Sequence, residues 1–150
     1  MHSVSTRKSG LRAVLDNNIL ARFLLTQRGF SGRLLGILET GGFTLVTCEA
    51  ILTEVTDVLG RPHVQRYGPY PPHEIVEAVD ALRGVAEVVP GRYEVFIVAE
   101  DPKDNPVLAC ALEGHADFVV TDDRKHLLPL KHYHGIQIVS MPLFLRTLGA

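Results

Sequence analysis

Two kinds of apolar pattern alternate along the chain. Continuous apolar runs predict buried strands, and these cover residues 13–15, 43–47, 85–89, 118–121 and 136–139. Apolar residues that recur every three or four positions predict helices over 19–26, 31–39, 48–59, 73–83, 106–113 and 142–148. The segment 61–72 is predicted as a loop, and the pattern over 93–98 fits either a strand or a loop.

This alternation of strands and helices predicts an α/β fold. Strands that read as continuous apolar runs are typical of a parallel sheet with helices on both faces. Residues 1–10 are predicted to be a polar tail, and residues 11–150 a single domain. In such folds the functional crevice lies beyond the carboxyl ends of the strands, so the residues that follow each strand are the candidates for function.

Composition is ordinary for a globular protein. The chain has 150 residues, of which 46% are hydrophobic and 21% charged, with a net charge of −2. The charge balance as a whole is not that of a nucleic-acid binder, although basic residues are concentrated in the N-terminal third. That concentration fits either a solvated face or a surface that steers phosphates. No apolar stretch is long enough to span a bilayer, so the cytoplasm is the expected compartment.

The two cysteines, Cys48 and Cys110, form neither a disulfide framework nor a zinc-ligand pattern. Both fall within apolar periodic segments, which predicts buried free thiols in a reducing compartment. Zinc ligation by His126, His132 and His134 is not favoured, because their spacing fits no common site. These histidines are interpreted as surface residues.

Carboxylates follow the predicted strands. Asp16 comes directly after the first strand, and Asp122 with Asp123 comes directly after the strand over 118–121. Asp101 and Asp104 lie in the segment that leads into the helix over 106–113. Each aspartate has a structural alternative as the N-terminal cap of the next helix or turn. Their joint position at one edge of a parallel sheet favours a shared site.

Glu54 adds a fourth segment to this set. On the predicted helix over 48–59 it flanks the apolar stripe that contains Ile51 and Val58. A carboxylate beside a buried face needs a partner, a metal ion or a path to solvent.

Crowded carboxylates repel one another and stay ionised only where a cation neutralises them. Oxygen ligands favour the hard ions Mg²⁺ and Mn²⁺ over Zn²⁺. Such an ion lowers the pKa of a bound water and stabilises phosphoryl displacement. The acidic set therefore predicts a metal-dependent enzyme that acts on phosphate esters.

These segments resemble the PIN-domain (PilT N-terminus) family. The first strand with Asp16 and Asn18 is similar to its "D-x-N" motif, and 118–123 to its "V-T-x-D" motif. The segment 101–109 is similar to its central acidic motif, and Glu54 with the turn over 58–62 to its helical glutamate. The resemblance extends over about residues 12–148, with the segment 135–145 near its end.

The resemblance implies a three-layer α/β/α sandwich around a mostly parallel five-stranded sheet, with a divalent-metal ribonuclease site. The catalytic and metal-ligating residues that it implies are Asp16, Glu54, Asp104 and Asp123. Asn18 and Thr121 would be polar supports. Asp122 stands where the family often has glycine or a basic residue, so it remains an alternative to Asp123 as a ligand. The sequence does not decide between one metal ion and two.

The resemblance also implies partners. The substrate would be RNA, with Arg12, Arg22, Arg124 and Lys125 as candidate contacts. Many members are toxins of toxin–antitoxin pairs, so an antitoxin protein is an expected partner. No membrane partner is expected. The competing interpretation is a catalytically inactive PIN-fold module that binds RNA or protein.

A homodimer is expected, partly from the resemblance and partly from apolar residues near the chain end. These residues are Phe144, Leu145 and Leu148.

Overall fold

The structure is a computed structural model that describes residues 10–25, 36, 38, 42–66, 70–94 and 105–149. Residues 1–9 of the predicted tail over 1–10, most of the predicted helix over 31–39, and the segment 95–98 lie outside the described residues. Asp101 and Asp104 also lie outside them.

The described strands form one six-stranded sheet in the order β3-β2-β1-β4-β6-β5. Their bounds are β1 Arg12–Leu15, β2 Thr44–Cys48, β3 Glu87–Val89, β4 Phe118–Val120, β5 His132–Tyr133 and β6 Ile136–Val139. The first five strands in this order pair in parallel with their neighbours, as predicted. The sixth, β5, was not predicted; it pairs antiparallel with β6 and is only two residues long, too short to give an apolar run.

The helices follow the predicted order. Their bounds are α1 Asn17–Leu25, α2 Glu49–Leu59, α3 Pro62–Gln65, α4 Pro72–Val85, α5 Asn105–Glu113 and α6 Met141–Thr147, with a 3₁₀ turn over Leu128–Leu130. The prediction of a loop over 61–72 was wrong in part, because α3 forms one helical turn there with Pro62 in its first position. Proline is favoured at that position, since its fixed φ suits a helix start and its missing N–H is not needed there.

Helices cover both faces of the sheet. In β1 the consecutive residues Ala13, Val14 and Leu15 have no exposed surface. Because successive side chains of a strand point to opposite faces, this burial requires packing on both sides. The three residues of β4 are buried in the same way. The predicted α/β fold, a three-layer α/β/α sandwich, is confirmed.

The C-terminal helix α6 belongs to this core. Phe144 has no exposed surface, and its ring contacts Phe43 and Phe118 at centroid distances of 5.0 Å and 5.6 Å. Leu145 is 5% exposed. The expectation that Phe144 and Leu145 offer an apolar face to a second copy was therefore wrong, because they pack inside their own chain, whereas Leu148 is partly buried.

Cys48 and Cys110 are buried free thiols, as predicted. A hydrogen bond with Cys110 lowers the pKa of Cys48 to about 7. No described helix is both long and apolar enough to cross a membrane.

Strand register positions the candidate site. Leu15 of β1 pairs with Val120 of β4, so Asp16 and Thr121, which follow them, emerge side by side. The backbone N–H of Asp16 donates to the carbonyl of Val120 at 3.0 Å, which extends the ladder past the end of β1. The first strand and the fourth thus deliver their polar residues to one edge of the sheet.

Candidate metal centre

Asp16 is a buried carboxylate at the start of α1. It is 3% exposed, and its Oδ1 accepts the backbone N–H groups of Asn18 at 2.9 Å and Ile19 at 3.1 Å. The hydroxyl of Thr121 donates to its Oδ2. Asp16 therefore caps α1, as its structural alternative predicted, and is also held in one orientation from the neighbouring strand.

The environment of Asp16 disfavours its charge. Burial raises its pKa above the ordinary value of 3.8, and the hydrogen bonds from Thr121, Ile19 and Asn18 act in the opposite direction. The negative charge of Asp122 raises the pKa further. A cation beside this carboxylate would favour its ionised form.

Thr121 connects the two acidic segments. It has no exposed surface, and while its hydroxyl donates to Asp16, its oxygen accepts the backbone N–H of Asp123 at 3.0 Å. The predicted supporting role of Thr121 thus has a definite geometry, because one hydroxyl sets the positions of two candidate ligands.

Asp123 organises the turn that follows β4. Its Oδ1 accepts the backbone N–H groups of Lys125 and His126, each at 3.0 Å. Its Oδ2 lies 3.5 Å from Nδ1 of His126. The side chain is 22% exposed, so Asp123 combines a capping role with partial access to solvent.

Asp122 pairs across the site with a cation of α1. Its Oδ2 lies 2.6 Å from Nη1 of Arg22, and the two side chains are 39% and 61% exposed. This ion pair therefore joins the residues after β4 to the first helix, and solvent screens it.

One open pocket of about 530 Å³ brings these residues together. It is lined by Asp16, Asn18, Ala21, Arg22, Leu25, Val58, Asp122, Asp123, Lys125 and His126. Because successive side chains of a strand point to opposite faces, two adjacent aspartates after a strand are expected to face different ways, one toward the pocket and one away from it. That expectation was wrong, since both Asp122 and Asp123 line the pocket.

Some predicted site residues lie elsewhere. Glu54, 29% exposed, does not line the pocket, and its Oε1 accepts a hydrogen bond from Arg61 at 3.1 Å. Arg12 lies at the opposite end of β1 from Asp16. Arg124 is exposed and does not line the pocket. Asp104 lies outside the described residues.

The donor chemistry of the pocket fits a hard divalent cation. Three carboxylates from two chain segments line it, and one of them is buried. Across the described residues, no three histidine, cysteine, aspartate or glutamate side chains are arranged closely enough to hold a metal ion. The described carboxylates thus supply ligands of the right type but do not form a closed coordination shell.

Two features of the pocket were missed from the sequence. His126 was interpreted as a surface residue, but its side chain is 24% exposed and lines the pocket beside Asp123. Its spacing of three residues from Asp123, within one turn, was the available signal. The second missed feature is the apolar wall formed by Ala21, Leu25 and Val58.

The fold and the pocket define a parallel α/β protein with carboxylates at the carboxyl edge of its sheet. Comparison with known families agrees, since the profile of the PIN domain matches residues 12–125, more than half of the chain. The chain belongs to the PIN-domain family, whose members are generally nucleases and typically use divalent metals. None of the curated proteins compared with the chain matches it.

Proposed function

We propose that this chain is an endoribonuclease that hydrolyses RNA phosphodiester bonds with Mg²⁺ or Mn²⁺. The observation that carries the proposal is Asp16, a 3% exposed carboxylate on the wall of a pocket that also contains Asp122 and Asp123. A buried carboxylate near two others is costly unless a cation or a proton compensates it. The family membership of the chain makes the cation the favoured compensation.

Asp16 and Asp123 are the proposed ligands, with Asp104 and Asp122 as further candidates. A divalent ion bound there would supply an activated water and would neutralise charge on the phosphate. Thr121 holds the carboxylate of Asp16 and the backbone of Asp123 in place through its hydrogen bonds to both residues. The backbone amides of α1 fix the other oxygen of Asp16, so its carboxylate does not rotate away.

The cations of the pocket would bind the substrate backbone. Arg22 and Lys125 line the pocket, and both side chains reach solvent. Their charges would attract the phosphates of RNA toward a chain whose net charge is −2. Arg22 would exchange its ion pair with Asp122 for a phosphate when the substrate enters.

Cleavage of a single-stranded RNA by the purified chain tests the proposal. We expect cleavage with Mg²⁺ or Mn²⁺ and none in excess EDTA. Asp16→Asn keeps an acceptor for the α1 amides but removes the charge, and should lower the rate by more than about 100-fold. Asp80→Asn, an exposed acid of α4 that is 61% exposed, is the matched control and should retain the wild-type rate.

Undiminished cleavage in EDTA would contradict the metal-dependent mechanism. Binding of RNA without any cleavage, whatever metal is added, would instead support the inactive binding module.

The proposed biological role is that of a toxin neutralised by an antitoxin protein. The support for this role is family resemblance. The proposed homodimer now also rests on family resemblance, because Phe144 and Leu145 are buried. Expression of the chain should arrest growth in a host cell, and Asp16→Asn should relieve the arrest. Light scattering at micromolar concentration should give the mass of two chains. Normal growth would contradict the toxin role. The mass of one chain would contradict the homodimer.

A further inference from the structure

The pocket has two chemically different walls. Asp16, Asp122 and Asp123 form an acidic wall at the strand ends, whereas Ala21 and Leu25 of α1, with Val58 of α2, form an apolar wall. A site that served only to bind a hydrated cation would have no use for apolar side chains facing it.

The spacing along α1 separates these two walls. Asn18, Ala21, Arg22 and Leu25 recur at intervals of three or four residues, so they form one stripe of the helix facing the pocket. The stripe begins beside the Asp16 cap and ends at Leu25, about 10 Å further along the axis. Polar Asn18 therefore lies at the end of the stripe nearest the Asp16 cap, and apolar Leu25 lies at the far end.

Leu25 is the exposed member of the apolar wall. It is 38% exposed, whereas Ala21 is 2% exposed and forms the base of the wall. Leu25 is one of only a few large apolar side chains that are exposed within the described part of the chain. A flat apolar ligand that covered it would gain contact area at little cost in reorganisation.

Charge identifies what such a ligand carries. The same pocket is lined by the cations Arg22 and Lys125, which suit a phosphate. The pocket volume of about 530 Å³ is within the range of sites that hold one small organic ligand. A ligand with a phosphate at one end and a flat apolar ring system at the other is a nucleotide.

We propose that Ala21, Leu25 and Val58 form a base-binding subsite, which holds one unpaired nucleobase while Arg22 and Lys125 bind the adjoining phosphate. This inference rests on the proposed function, because the nucleotide is part of the RNA substrate. A base inside a duplex is stacked on both faces and cannot reach the wall, so the subsite selects single-stranded RNA. Aliphatic contact with a base face carries no hydrogen-bond information, so all four bases are accepted.

Methyl NMR of the metal-free chain provides the test, with uridine 5′-monophosphate and ribose 5-phosphate as probes. Neither probe contains a phosphodiester bond, so cleavage does not interfere. The nucleotide should shift the methyl resonances of Leu25 and Val58, while ribose 5-phosphate, which lacks the base, should leave them in place. Val76 of α4, 55% exposed, is the control methyl and should not respond to either probe. Equal shifts of the Leu25 and Val58 methyls with both probes would overturn the proposal.

Leu25→Ser tests the same subsite with RNA, and Val76→Ser is its matched control because both side chains are exposed. Leu25→Ser should raise the KM for a single-stranded RNA about fivefold, with kcat little changed. Val76→Ser should leave both parameters at the wild-type values. An unchanged KM in Leu25→Ser would overturn the subsite. That result would leave the nuclease proposal intact, because the nuclease proposal is tested separately by metal-dependent cleavage with the wild-type chain.

Discussion

The two ends of the central strands differ in how their charges are compensated. At the amino end of β1, Arg12 donates through Nε to the carbonyl of Gly114 at 2.9 Å and pairs through Nη2 with Glu87. Its backbone N–H donates to Asp117 at 2.9 Å. The charges at this end are thus compensated by the chain itself.

At the carboxyl end, the chain compensates its charges less completely. Asp16, Asp122 and Asp123 line one pocket, and burial raises the pKa of Asp16. The ion pair of Asp122 with Arg22 is exposed to solvent, so it contributes little to stability. The amino end therefore serves stability, whereas the carboxyl end concentrates negative charge that a ligand can use.

After Asp16→Asn, the largest effect that can sharpen this contrast is expected at Asp123. Asp123→Asn should lower the cleavage rate by about 100-fold and weaken Mn²⁺ binding, because a proposed ligand loses its charge. The asparagine oxygen can still accept hydrogen bonds from the backbone amides of Lys125 and His126. The free energy of unfolding should therefore fall by at most about 1 kcal/mol. Cleavage rates and calorimetric Mn²⁺ titrations measure both effects.

Asp122→Asn is the neighbouring control. Asp122 is the more exposed of the two and is paired with Arg22, so its loss should change the rate by less than about tenfold. If Asp122→Asn were the inactive variant and Asp123→Asn the active one, the assignment of the ligand would be reversed.

At the amino end, Arg12→Met should change stability without changing catalysis. The Arg12 side chain is 17% exposed, and its loss leaves the Gly114 carbonyl and Glu87 without their partner. We expect the free energy of unfolding to fall by about 1–3 kcal/mol. Denaturant unfolding measures this change, with the exposed Arg146→Met as control. A loss of kcat in folded Arg12→Met would show that the two ends are not separate in function.

A smaller effect is expected in the pH dependence of the metal-free protein. Because burial raises the pKa of Asp16 above 3.8, the folded state holds its proton more tightly than the unfolded state does. The contribution of this carboxyl to the stability of the folded state is fully present below its ordinary pKa. It is lost as pH rises through the pKa that the carboxyl has in the folded state. Melting temperatures in EDTA should therefore fall with rising pH in the wild type relative to Asp16→Asn. Parallel curves from about pH 3 to about pH 8 would contradict the sign of the shift.

Much of this architecture could be predicted because continuous apolar runs identify buried strands. The runs that became β1, β4 and β6 placed Asp16 and the pair Asp122–Asp123 correctly at the carboxyl edge. The parallel order of strands follows from the same alternation, since each crossover requires a helix. The PIN-domain assignment was confirmed in the same region.

The remainder depended on contacts between residues distant in sequence. The partner of Glu54 is Arg61, seven residues later and beyond the end of α2, and helical periodicity does not describe that turn. Arg12 was grouped with the RNA contacts by charge alone, although its position at the start of β1 places it at the other end of the sheet. His126 lies in a turn with no periodicity, where its spacing of three residues from Asp123 was the available signal of its place in the pocket.

The most direct test of the central claim, that the carboxyl edge is a divalent-cation site, is the effect of Mn²⁺ on the melting temperature. An ion that binds only the folded state stabilises it by about 2.7 kcal/mol at a concentration 100 times its Kd. Mn²⁺ should raise the melting temperature of the wild type and of the Asp80→Asn control, and EDTA should reverse the rise. Asp16→Asn should show little or no rise. An equal rise in Asp16→Asn, or none in the wild type, would contradict the account.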